Sequence, residues 1–220
     1  MSPRRTSATR KDQIVKAALT IIGRKGVHSL TTAGIAKVAG MSEANLYRHF
    51  QDKDEILLSI GDKIGTVIMG TAAAIADREG TPLEKLEAIY ASHITAISEA
   101  PGIPRYVFSD VHLGNPRLSK AMADRMRNYM GILAGIVYDG IAAGSLRENL
   151  SPRETAVTLL GMIQFTALRH SLDHGSFDLR EEAGKLWTNF RAVISRDIGG
   201  TPVKSRRRQG RTPLPTRRRT

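Results

Sequence analysis

Apolar residues recur at three- and four-residue intervals along most of the chain, and no stretch alternates apolar with polar residues over the length of a strand, so the pattern predicts an all-α protein. Ile14, Ala17, Ala18, Ile21 and Ile22 form the stripe of a first helix that ends at Gly26. Thr31 is placed to cap a two-turn helix with Ile35, Ala36, Val38 and Ala39 on its apolar face, and Ser42 to cap a third with Leu46 and Phe50 inward. Asp52 and Glu55 have the spacing of a capping box for a long helix to about Arg78, carrying Ile56, Ile60, Ile64, Val67 and Ile68 inward. Gly80 and Pro82 break it. A helix from Leu83 to about Glu99 stops at Pro101, and Gly102 and Pro104 force an irregular entry to a short segment, Tyr106 to Leu113. Asn115 and Pro116 open another long helix, whose positions Leu118, Met122, Met126, Tyr129, Leu133, Ile136, Val137 and Ile141 keep helical spacing until Gly144. Ser151 and Pro152 start the next, with Glu154 at its third position as a capping residue. Leu179, Ala183, Leu186, Trp187, Phe190, Val193 and Ile194 mark the last.

About nine helices result, in a small N-terminal three-helix unit (residues 10–53) and a larger bundle (54–198). A basic arm (1–9) precedes them. Past Ile198 the tail TPVKSRRRQGRTPLPTRRRT has few apolar residues, three prolines and repeated arginines, and residues 199–220 are expected to be disordered.

The segment Leu30 to Phe50, LTTAGIAKVAGMSEANLYRHF, joins two short helices through Gly40, a residue free to take the left-handed conformation of a sharp turn. It reads as a helix-turn-helix. With Leu46 and Phe50 turned to the core, Glu43, Ala44, Asn45, Tyr47, Arg48 and His49 are left outside. Arg and Asn can pair with guanine and adenine edges, Ala can pack on a thymine methyl, and Tyr and His suit phosphates. An amphipathic hairpin that binds nothing has the same spacing, so charge has to separate the two.

The formal net charge is +12 over 220 residues, with a pI near 10.4, which points to a polyanionic partner. From Met1 to Lys53 there are ten Lys or Arg against the three acids Asp12, Glu43 and Asp52, and from Gly199 onward eight bases and no acid; residues 54–198 carry −3. Only the two ends look built for nucleic acid. Cysteine is absent, which excludes disulfides and thiol catalysis. The uncharged run Thr155 to Leu168 is too short to cross a bilayer, and no apolar signal segment follows Arg4 and Arg5, so the expectations are no membrane span and a cytoplasmic location.

On these residues the chain resembles the TetR family of transcriptional regulators. Thr31, Ile35, Ala36, Ala39, Gly40, Ser42, Leu46, Tyr47, His49, Phe50 and Lys53 fall where that family's pattern has them, and PGIPRYVFSD, NPRL and the LLGMIQ stretch from Leu159 are similar to one group of these regulators. The resemblance spans roughly residues 10–196. It implies an all-helical dimeric repressor released by a small ligand from a near-palindromic operator, with recognition helices about 34–36 Å apart in successive major grooves. It also implies that Tyr47, His49 and Lys53 hold phosphates, that Thr31 caps the second helix near the DNA backbone, and that Glu43, Ala44, Asn45 and Arg48 approach bases. Two positions depart from the pattern: Ala33 and Gly34 replace more polar residues, and Glu43 puts an acid near DNA, where it accepts from cytosine or, the preferred reading, caps its own helix.

For the dimer, Ala156, Gly161 and Ala167 would let the penultimate helix approach a partner closely, and Trp187 and Phe190 offer a large apolar face; the competing reading is that both belong to the core of one protomer. The middle helices are rich in flexible and aromatic residues suited to an effector cavity. Tyr90, His93, Tyr106, Phe108, Met126, Tyr129, Met130 and Phe165 are candidate walls, as are Ile97, Met122 and Met162. Arg105, His112, Gln164 and Arg169 are candidate polar anchors for a hydrophobic or amphipathic molecule. His170 and His174 share a helical face but have no third ligand at a recognisable distance, so no metal is expected, and no cofactor. No nucleophile elbow, phosphate loop or paired-carboxylate signature appears, so an enzyme is not expected either. The rival from another class is a non-specific, nucleoid-type nucleic-acid binder held by its arginine tail.

Overall fold

The computed structural model describes residues 7–196, so the expected tail and all but the last residues of the arm lie outside the described residues. Among the described residues ten α-helices follow one another: α1 (Ser7–Lys25), α2 (Thr32–Val38), α3 (Glu43–Leu46), α4 (Lys53–Asp77), α5 (Pro82–Glu99), α6 (Gly102–Val107), α7 (Val111–Gly114), α8 (Pro116–Ala142), α9 (Pro152–Leu172) and α10 (Leu179–Ile194). A single 3₁₀ turn, Val27–Ser29, follows α1. The described residues contain no strand, only an isolated antiparallel bridge between Leu146 and Ser195. The one difference in element count from the sequence expectation is local. The short segment expected from Tyr106 to Leu113 is two helices, because the chain turns at Phe108–Asp110, and the irregular entry expected at Gly102 and Pro104 is instead the first turn of α6, where a proline amide is not needed for an intrahelical bond.

Helix starts follow their capping residues. Thr31 Oγ1 accepts from Gly34 N, Ser42 Oγ from Asn45 N, and Asn115 Oδ1 from Arg117 N and Leu118 N. Thr81 and Glu84 close a reciprocal capping box on α5 that the sequence reading passed over. Two expected caps differ. Asp52 accepts from Glu55 N, but the Glu55 carboxylate turns one residue further back to Gln51 N, at 2.7 Å. Ser151 makes no side-chain cap, and Glu154 pairs with Arg153 at 3.6 Å rather than capping α9.

The core runs continuously from Ile14, Ala18 and Ile22 of α1, through Ile56, Leu57 and Ile60 of α4, to Leu133, Val137, Leu159, Ile163 and Trp187 of the bundle. Helix α4 is the common element, packed against α1, α5 and α8. Among the described residues, α4 alone is long and apolar enough to cross a membrane; its packing makes it the strut between the N-terminal unit and the bundle. Three positions assigned to apolar faces are instead turned outward: Val38, Val67 and Val193. Each lies at the edge of its stripe, where a helical turn of 100° per residue takes the side chain off the core.

Candidate nucleic-acid interface and buried cavity

The N-terminal unit holds its third helix from two sides. Leu46 and Phe50 are fully buried, the Lys11 ammonium sits 4.9 Å over the Phe50 ring, and Gly40 takes the turn at φ 67°. What this anchoring leaves on the surface is the set expected from sequence: Glu43, Ala44, Tyr47 and Arg48 are exposed, and Asn45 and His49 half-buried. Thr31 is exposed at the start of α2, and Lys53 is half-buried at the start of α4. Seven of the eight candidate DNA-contacting residues therefore lie on or next to α2 and α3 in the chain, and Lys53 opens α4.

Glu43 has a role the sequence did not give. Its carboxylate accepts a hydrogen bond from the Thr32 hydroxyl on α2, and Tyr47 OH donates to the same Thr32 oxygen at 3.4 Å. Thr32 thus ties the two helices together across the face that would meet DNA. Ser42, not Glu43, supplies the cap of α3, so the capping role preferred for Glu43 is corrected. Beside this unit, Gln51 N–H and the Lys11 ammonium hold the Glu55 carboxyl below its ordinary range.

A cavity of about 90 Å³ lies in the bundle between α4, α5, α6, α8 and α9. Of the expected walls and anchors, His93, Tyr106, Phe108, Met126, Tyr129 and Gln164 line it, together with Ile97 and Met122. The remaining candidates do not. Tyr90 is spent inside the core, donating to Ala183 O at 3.1 Å and packing on Trp187. His112 backs the wall, with Nε2 2.9 Å from Tyr106 O and its ring edge-on to Tyr106. Met130 and Met162 pack beside the core without reaching the cavity. Phe165 points to solvent, and Arg169 pairs with Glu182 at 3.0 Å over the Phe177 ring. Arg105 lines a separate surface hollow with His170 and His174.

The polar groups at the cavity are few. Tyr106 OH donates to Leu57 O of α4 at 2.7 Å, and burial pushes its phenol up to about 12. Tyr129 OH and His93 Nδ1 are hydrogen-bonded at 3.0 Å; burial pulls His93 down to about 4, so it is neutral near pH 7, and raises Tyr129 above the ordinary phenol range. Sequence reasoning missed Arg125, among the described residues the one arginine or lysine on this wall, because its neighbours in α8 mark it as part of a solvated face. Gly61 and Gly65 of α4 were missed too, since a glycine in a helix carries no apolar signal, as was Met69.

The expected dimer residues are redistributed by the fold. Trp187 is buried against Tyr90 and Phe190 against Trp187, Ala156 is fully enclosed, and Ala167 lines the cavity, so these four belong to the protomer's own core. Gly161 alone of the set is on the surface. It lies on a different stripe of α9, where Val157, Phe165 and Leu172 are 47%, 64% and 67% exposed.

Comparison with known proteins gives two family matches. The model described as bacterial regulatory proteins, tetR family, matches residues 14–60, and a tetracyclin repressor-like C-terminal domain matches residues 79–168. Among curated proteins, the chain is 27% identical over 168 residues to the fatty acid metabolism regulator protein of Bacillus subtilis (strain 168), covering 76% of this chain and 86% of that one. Solved structures share the fold. The transcriptional regulator FadR from Bacillus subtilis in complex with stearoyl-CoA aligns with a TM-score of 0.72 and 24% identity, over 83% of this chain and 98% of that one. AibR in complex with isovaleryl coenzyme A and operator DNA aligns with a TM-score of 0.69 and 19% identity, over 82% and 97%.

Proposed function

Because this chain belongs to the TetR family of bacterial regulatory proteins, we propose that it is a dimeric, operator-binding transcriptional repressor released by an acyl ligand, most simply an acyl thioester. The observation that carries the DNA-binding part is the anchoring of α3: Leu46 and Phe50 lock it to the core while Tyr47 and Arg48 stand clear. Arg48, Asn45 and Ala44 read base edges in this proposal; Tyr47, His49 and Lys53 hold phosphates, and Thr31 caps α2 near the backbone. Glu43, tied to Thr32, sets the angle between α2 and α3 rather than contacting DNA.

The ligand part rests on the apolar cavity and on relatives whose names include fatty acid metabolism and acyl-coenzyme A complexes. A cavity of about 90 Å³ is smaller than the usual ligand site of about 300–1,000 Å³. Filling it therefore pushes on its softest walls, Met69, Met122 and Met126. Met69 belongs to α4, which begins at the DNA-binding unit, so a ligand that favours the expanded cavity shifts the unit's position. The exposed stripe of Val157, Gly161, Phe165 and Leu172 is the proposed face for the second protomer.

Selection of bound sequences from a random duplex pool tests this reading, with and without acyl-coenzyme A of graded chain length. An enriched inverted repeat that is lost in Tyr47→Phe/Arg48→Ala and released by acyl-coenzyme A is expected. Binding with no preferred sequence, abolished by salt, would return the protein to the class of non-specific binders.

A further inference from the structure

Arg125 sits on α8 with its guanidinium against α4, where Gly61 and Gly65 stand one turn apart. A Cβ at Gly61 would lie 2.7 Å from Arg125 Nη1 and 2.7 Å from Tyr106 OH, and one at Gly65 would lie 3.4 Å from Arg125 Cδ. The two missing side chains form a slot in which the arginine lies against the helix backbone. There Nη2 donates to Leu58 O at 3.3 Å and to Asp62 Oδ1 at 2.6 Å.

The two members of this ion pair live in different surroundings. The Arg125 side chain is 16% exposed and forms part of an otherwise apolar wall; the Asp62 side chain is 72% exposed. Losing its partner costs Asp62 little, because water replaces the guanidinium. Arg125 has no such alternative: a covered cation without an anion bears the desolvation penalty. An anion offered from the cavity side can therefore displace Asp62, whereas a neutral group cannot.

Resting on the reading of the cavity as a ligand site, we propose that Arg125 is an exchange anchor, held by Asp62 in the empty protein and taken over by the anionic head of an acyl-chain ligand. The exchange also removes a tie between α8 and the N-terminal half of α4, the end nearest the DNA-binding unit. The head is a carboxylate of a free acid or a phosphate of a larger conjugate, and both present the same charge-assisted acceptors to the guanidinium.

Calorimetric titration of the full chain with decanoate, methyl decanoate and decanoyl-coenzyme A tests the exchange, in the wild type and in Arg125→Met and Asp62→Asn. At least one anionic probe is expected to bind the wild type about tenfold or more tighter than the methyl ester, the worth of a charge-assisted hydrogen bond. Arg125→Met removes that advantage and leaves the ester unchanged. Asp62→Asn tightens the same anionic probe about two- to threefold by removing its competitor. Opposite signs for two members of one ion pair distinguish exchange from a structural role, which weakens binding in both variants. Whether decanoate or decanoyl-coenzyme A responds identifies the anion. Equal binding of acid, thioester and ester to the wild type overturns the anchor alone, and that comparison stands even where Arg125→Met fails to fold. Binding of none of the three overturns the reading of the cavity, and the anchor with it.

Discussion

Phe165→Glu is the perturbation that most directly separates the surface of this fold from its core. Phe165 is 64% exposed on the outer stripe of α9. A phenylalanine buries roughly 200 Å² when fully covered, so roughly 130 Å² is open to a partner. At about 25 cal/mol per Å² that is about 3 kcal/mol per copy, and about 6 kcal/mol for the two copies that meet across a two-fold axis. Incomplete burial reduces this figure and the added carboxylates increase the penalty, so a dimer Kd raised at least about 100-fold is expected. Sedimentation velocity at micromolar protein reads the change directly, and operator gel shifts read its consequence. Trp187→Ala is the contrast: Trp187 packs on Tyr90 at 5.6 Å between ring centroids inside one protomer. Its loss should remove about 3–5 kcal/mol of fold stability, read as a lower denaturation midpoint. A Phe165→Glu protein that sediments as the wild-type dimer would refute the assignment of this face, as would a Trp187→Ala protein that becomes monomeric with its fold stability intact.

Three further outcomes are expected. Arg48→Ala should cost about 1–3 kcal/mol of operator binding and relax selectivity at one base pair, whereas Lys53→Gln should weaken all sequences alike and reduce the slope of log K against log salt by about 1; both are read from binding isotherms at several salt concentrations. His93 is held near 4 in the folded protein by burial and returns to about 6.5 on unfolding, so the unfolded chain binds the extra proton between those values. Its contribution, about 2–3 kcal/mol, is complete above pH 6.5 and is lost as pH falls toward 4; urea midpoints across that window should show a shallower fall in His93→Gln, and an unchanged slope would contradict the burial argument. Thr31→Ala and Ser42→Ala should each cost about 1 kcal/mol in chemical denaturation, because each leaves a helix N-terminal amide without the acceptor it has here.

Local, repeating and chemically marked features were legible in the sequence. Helix periodicity located the long helices except α9, which was found from Ser151 and Pro152 at its start, and capping residues such as Thr31, Ser42 and Asn115 do in the structure what their side-chain oxygens and positions imply. The face of α3 was readable because Leu46 and Phe50 settle which side is inward, and on a helix one buried side determines the other. Tertiary structure decided which of several apolar faces meets which neighbour. Periodicity shows that Trp187, Phe190 and Phe165 are apolar at helical spacing, but not that the first two are buried in the bundle and the third faces outward. The same limit applies to the cavity: Arg125 looks like one more charge on a solvated helix until the gap over Gly61 and Gly65 draws it to Asp62, and Glu43 looks like a cap until the turn brings Thr32 beside it. A sequence records what each residue can bury or bond, while partners distant in the chain are chosen only when the helices pack and desolvation forces every covered charge to find one.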